Sequence, residues 1–232
     1  MIIFNGEPMP AMVKVEDIVV SPIARNPVAR QRPIRFGADY VRMGGGERTV
    51  TIRFSLLTND PIIRQQHMDM VTAWAQSDGE ERLELPAHPG RYLQCICTQF
   101  PAPSDWKWWE KELVMVFTCY DNPYWTDIDE KSAPCGTEFT VLGTAQDGPL
   151  MQIRRTLTDP AQGQTYSNGV ESATFANIPA GELVIDLNRQ TAAVDGVSIM
   201  QHYAFDSQFL LPQNGKQTIT GTGTVYWRER WN

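Results

Sequence analysis

Apolar side chains recur at every second position along most of this chain, and one short segment breaks that rhythm. From Thr49 to Leu56 the alternation is clean: Val50, Ile52, Phe54 and Leu56 share one face, and Thr49, Thr51, Arg53 and Ser55 the other. Successive side chains of a strand point to opposite sides of a sheet, so this pattern predicts a half-buried strand. Leu113 to Tyr120 is apolar on both faces and predicts a central strand covered on each side. Tyr92 to Cys97 is a shorter candidate.

The interruption lies at about 60–77. Asn59 or Asp60 can cap a helix, Pro61 suits its first position, and Ile63, Met70, Val71 and Trp74 form an apolar stripe that ends before Gly79. One α-helix inserted among strands is the expectation. Beyond it, polar and charged residues from Tyr124 to Gly136 read as a connection. Strands resume with Leu183, Ile185 and Leu187, and Asp195–Gly196 predicts a tight hairpin between Ala192–Val194 and Val197–Ile199. Asn214–Gly215 marks another turn, and Thr218 to Trp227 reads as a single Thr-rich strand.

These elements predict a mainly β protein of two β-sandwich-like domains. The boundaries expected are 1–128 for the first, 129–136 for a linker and 137–232 for the second. A length of 232 residues suits two such domains.

Composition excludes some functions. The net charge is −7, with 13 basic and 16 acidic side chains in residues 1–128 and 7 and 11 in residues 129–232. Stable nucleic-acid binding wants the opposite sign, since it depends on Lys and Arg displacing counterions from phosphates. No apolar run approaches the ~20 residues that span a bilayer, so no membrane insertion is expected. Cys95, Cys97, Cys119 and Cys135 lack zinc or redox spacing and read as small apolar residues, the first two sharing a strand face.

Catalytic chemistry is thin. His67, His88 and His202 have no second ligand at metal spacing, and no serine sits in a nucleophile elbow. Gly44–Gly45–Gly46 lacks the Lys and Ser/Thr of a phosphate loop. Asp127, Asp129 and Glu130 lack the spacing of a calcium loop and read as solvated. No catalytic residue, metal or cofactor is expected.

Two clusters are candidate interfaces. Arg25, Arg30, Arg32, Arg35, Arg42 and Arg48 form either a solvated face or a surface that meets a neighbour's carboxylates. Trp106, Trp108 and Trp109 serve either core packing or an inter-subunit contact.

The order of these motifs resembles the distal tail (Dit) proteins of phages with long, non-contractile tails. Residues 1–128 are similar to their N-terminal domain through Phe4–Asn5–Gly6, Glu47–Arg48–Thr49–Val50–Thr51–Ile52–Arg53–Phe54, the helix with Trp74, Pro89–Gly90–Arg91–Tyr92, and Leu113–Cys119 leading to Pro123, Tyr124 and Trp125. Residues 137–232 resemble the galectin-like C-terminal domain through Gly143–Thr144, Gly181–Asp186, Val194–Asp195–Gly196, Phe209–Leu210 and the closing Tyr226–Trp231. Tyr40 departs from the family's glycine after Asp39.

The resemblance implies a structural subunit at the virion tail tip. It would form a homo-hexameric ring between the tail tube protein and a tail-tip hub (Tal-like) protein, its lumen passing DNA, with receptor-binding proteins as further partners. The competing function is a carbohydrate-binding module, in which Tyr203, Trp227 or Trp231 of the C-terminal domain would hold host-surface glycans.

Overall fold

Alternation in the Arg48–Leu56 segment is realised as a strand with Val50, Ile52 and Phe54 fully buried, while Arg53 faces out. The computed structural model describes residues 1–23, 28–31, 38–41, 46–58, 60–101 and 112–232, and of 28–31 and 38–41 the backbone alone. The chain divides into two units, Met1–Trp125 and Thr126–Asn232.

The first unit contains β1 (Ile3–Phe4), β2 (Glu7–Pro8), β3 (Val13–Val20), β4 (Val28–Gln31), β5 (Ala38–Val41), β6 (Arg48–Leu56), α1 (Pro61–Ala75), β7 (Glu81–Glu84), β8 (Arg91–Gln99) and β9 (Leu113–Cys119). Antiparallel neighbours run β2-β1-β7-β8-β9-β6-β3, and β4 pairs with β5 as a separate ribbon. As expected from its two apolar faces, β9 lies between β8 and β6. A bulge at Val15/Asp17 shifts the β3–β6 register.

Helix α1 starts where its cap dictates. The Asp60 Oδ1 accepts from the Ile62 and Ile63 amides at 2.8 and 3.3 Å, and Pro61, which has no N–H to lose, follows the cap. Its buried face is Met68, Val71 and Ala75, with Trp74 edge-on to Phe4 and Phe117 at 5.8 and 6.3 Å. The expected stripe is therefore rotated: Val71 and Trp74 face the sheet, but Ile63 and Met70 are 42% and 52% exposed.

The second unit holds β10 (Trp125–Asp127, whose first residue closes the first unit), β11 (Lys131–Pro134), β12 (Glu138–Val141), β13 (Leu150–Leu157), β14 (Ala161–Ser167), β15 (Ser172–Ile178), β16 (Gly181–Asp186), β17 (Thr191–Val194), β18 (Val197–Ser198), β19 (Gly215–Thr218), β20 (Thr224–Arg228) and β21 (Arg230–Trp231). Six strands form one antiparallel sheet in the order β11-β20-β13-β16-β17-β18, and β12–β19 and β14–β15 form two smaller ribbons. Phe139, Ile153, Tyr166, Phe175, Ile185 and Val225 come from both the sheet and the ribbons into one core, so the layers are sandwich-like. At the β17–β18 turn Asp195 and Gly196 take φ of 48° and 79°, the left-handed pair that a two-residue hairpin requires.

Two expectations change here. Within 129–136, Lys131–Pro134 is a strand, paired with β20 from Lys131↔Trp227 to Pro134↔Thr224. It is an edge strand, where Pro and polar residues are tolerated, so its composition mimics a connection. The Thr218–Trp227 run is not one strand: Thr218 ends β19, and β20 begins at Thr224 in a different sheet. Gly221 and Gly223, at φ of 132° and 119°, turn the chain between β19 and β20.

Candidate functional site

The polar interior of each unit was not apparent from the sequence. In the first unit Arg48 departs from the exposed face expected of the arginine stretch: it is buried opposite Cys119 in strand β6, and its Nε and Nη1 have no hydrogen-bond partner among the described residues. Burial pulls its guanidinium below its ordinary pKa. His88 stacks on Trp125 with ring centroids 4.0 Å apart. Partial burial, then the charges of Arg91 and Arg48, hold the His88 imidazole below its ordinary value. A buried cation beside a disfavoured second one is a site that resists further positive charge.

In the second unit the Lys131 ammonium donates to the Glu229 Oε1 at 2.6 Å, and Glu229 is 1% exposed. Arg154 forks onto both Glu130 oxygens at 2.9 Å while its guanidinium lies 4.4 Å from the Tyr226 ring centre. Asp127 accepts from the Trp231 indole at 2.8 Å. Two of the carboxylates considered for calcium, Asp127 and Glu130, thus serve side chains of their own unit. Among the described residues no three His, Cys, Asp or Glu side chains gather as a metal site would need.

The aromatic residues considered for glycan contact occupy three different settings. Tyr203 follows a single 3-10 turn (Met200–His202) and stacks on Phe209 at 4.8 Å, beside Phe175 at 5.3 Å. Burial raises its phenol pKa. Trp227 is 6% exposed under the ring of Phe139, 4.6 Å away. Trp231 is held by Asp127 on β21. Among the interface candidates, Arg30 sits on β4 opposite Asp39. Arg25, Arg32, Arg35, Arg42, Trp106, Trp108 and Trp109, like Gly44 and Gly45, lie outside the described residues.

What the described surface does present is uncovered apolar side chains. In the first unit these include Leu57, Ile62, Ile63 and Met70 on and beside α1, and Val19 on edge strand β3. In the second they include Val170 at 89% exposure, Val197 at 69% and Phe205 fully exposed. No helix is long and apolar enough to cross a membrane among the described residues.

Among the described residues, two β units with a single α-helix make an arrangement with known counterparts. The structure of the Dit protein of SPP1, described as a paradigm of the hub adsorption apparatus in phages infecting Gram-positive bacteria, matches with a TM-score of 0.75. That match covers 100% of this chain and 98% of the SPP1 protein at 14% identity. The chain has the Dit fold. Two structures of the phage P2 baseplate in its activated conformation, with Ca and with Sr, match the same fold at a TM-score of 0.50. They share 7% and 8% identity with this chain, over 95% of it and 91% of theirs. No protein-family model and no curated protein matches the sequence.

Proposed function

We propose that this protein is a structural hub subunit of a phage tail, a distal tail protein that works by assembly and not by turnover. The observation that carries the reading is the end-to-end match to SPP1 Dit, which covers both units. In this reading the N-terminal units close into a hexameric ring through repeated head-to-tail contacts. One side of the ring meets the tail tube and the other the tail-tip protein, at the tip of the virion. The C-terminal units, read as galectin-like sandwiches, anchor host-recognition proteins. The acidic balance suits a lumen through which DNA slides without sticking. In this reading the exposed apolar side chains on α1 and the exposed Phe205 are contact surface of the kind assembly covers.

Light scattering of the purified chain over a concentration series, with negative-stain images of the heaviest species, tests this. Six-fold rings with an open centre are expected, alone or on addition of the tail tube protein. A monomer that stays monomeric with both the tube and tail-tip proteins present would refute the ring.

A further inference from the structure

The core of the first unit contains a pair of thiols that the hub reading does not use. Register places Ile96 opposite Thr118 and Cys97 opposite Phe117, and one further step sets Cys95 of β8 opposite Cys119 of β9. Both cysteines are free and fully buried, and their thiols lie close enough to interact. Directly opposed residues on antiparallel strands have Cα atoms roughly 4.5–5.5 Å apart, inside the roughly 4.4–6.8 Å range of disulfides. Cys97 shares a face with Cys95 but is diagonal to Cys119, at roughly 7–8 Å, outside that range. Cys135 belongs to the other unit.

We propose that Cys95 and Cys119 are a reserve disulfide, closed across β8 and β9 by a peroxide-class oxidant once the protein leaves a reducing cytoplasm. One sulfur attacks hydrogen peroxide: its S–O bond forms, the O–O bond breaks, and the departing hydroxide leaves with the thiol proton as water. The second sulfur then attacks this sulfenic sulfur. The S–S bond forms, the S–O bond breaks, and the oxygen leaves as a second water with the second thiol proton. Two thiols have lost two electrons and one peroxide has gained them.

Burial gives the pair its timing. Desolvation pushes the Cys95 thiol far above its ordinary range, and Cys97 up to about 11, so thiolate is scarce while the sheet is closed. The pair therefore stays reduced through brief exposure and oxidises at the rate at which β8 and β9 part. Once formed, the bond ties neighbouring strands at the centre of the sheet, and the constraint acts mainly on the unfolded chain. The inference depends only on the first unit and stands or falls apart from the ring.

The test uses the full chain carrying Cys97→Ser and Cys135→Ser, so that the pair alone can react. The protein is held in dilute hydrogen peroxide until the amides of β8 and β9 have exchanged, then denatured and alkylated with N-ethylmaleimide. The expected product carries no N-ethylmaleimide on either cysteine, and its joined Cys95 and Cys119 peptides are two hydrogen masses lighter than the free pair, whatever oxygen exposed methionines such as Met1 and Met70 have gained. Its first-unit Tm should be higher by about 10 °C, a gain that dithiothreitol reverses. Two adducts, sulfinic or sulfonic acid on either cysteine, or dimers linked between chains would each overturn the proposal. Should the double variant not fold, the unsubstituted chain is treated alike and digested without reduction. Joined Cys95 and Cys119 peptides are then expected, and separate ones would overturn the proposal in the same way.

Discussion

Replacing Lys131 by Met tests whether the second unit depends on its buried ion pair. The Glu229 carboxylate is 1% exposed, and its Oε1 takes a 2.6 Å hydrogen bond from Lys131. Its Oε2 has no hydrogen-bond partner among the described residues. Removing one partner of a fully buried pair costs roughly 3–5 kcal/mol, because the remaining charge keeps its desolvation and loses its compensation. Lys131 is 43% exposed, so water enters part of the space it vacates. Discounted for that screening, the loss is about 2 kcal/mol, or about 10 °C in the Tm of a unit this size. The double replacement Lys131→Met with Glu229→Met removes both charges and should recover most of the loss, a coupling of more than about 1 kcal/mol in a double-mutant cycle. Urea denaturation of the four proteins, followed by the fluorescence of Trp227 and Trp231, reads it. Lys131→Met within about 0.5 kcal/mol of the parent, or a double variant equal to the sum of the singles, would refute the reasoning.

Gly181→Ala should destabilise the second unit by about 2–3 kcal/mol in the same assay. At φ 138° a Cβ there would lie 2.3 Å from the Asp195 carboxylate and 2.6 Å from Val194. Arg48→Met should hold or raise the stability of the isolated chain, by about 1–2 kcal/mol, because two buried unpaired donors disappear. A loss of more than about 1 kcal/mol would mean the guanidinium is compensated. Stability should fall as pH drops from 7 through the ordinary histidine value of 6.5 toward the lower value of folded His88, since the unfolded chain takes up the proton first. Above that window His88 is neutral in both states and contributes no slope. His88→Gln should flatten the pH dependence of the urea midpoint, and an unchanged slope would contradict the assignment.

The elements most legible in the sequence are those whose signal is local. Strand β6 announces itself because each side chain declares its own face, and α1 because Asp60 and Pro61 are adjacent. The buried face of α1 was less legible: Ile63 and Met70 are as apolar as Met68 and Val71, and only the position of Phe4 and Phe117 decides which pair is covered. Strand β11 was hidden because an edge strand needs few apolar residues. The break between β19 and β20 was signalled by Gly221 and Gly223, but the threonines around them continue a strand pattern. The ion pairs left no trace, since Lys131 and Glu229 are 98 positions apart and nothing in either neighbourhood names the other.

A match at 14% identity across the full length shows that the fold does not depend on most of its residue identities. Alternation in β6 and β9, a cap before α1 and a left-handed pair at Asp195–Gly196 can be met by many residues, so a core of this kind survives wholesale replacement of its sequence. The exposed residues carry no such constraint from folding. Phe205, Val170 and the outer face of α1 gain nothing from staying apolar in an isolated chain, where each exposes hydrocarbon to water. In the hub reading a neighbouring chain covers them, and on that reading the part of the sequence least needed for the fold is the part that specifies the assembly.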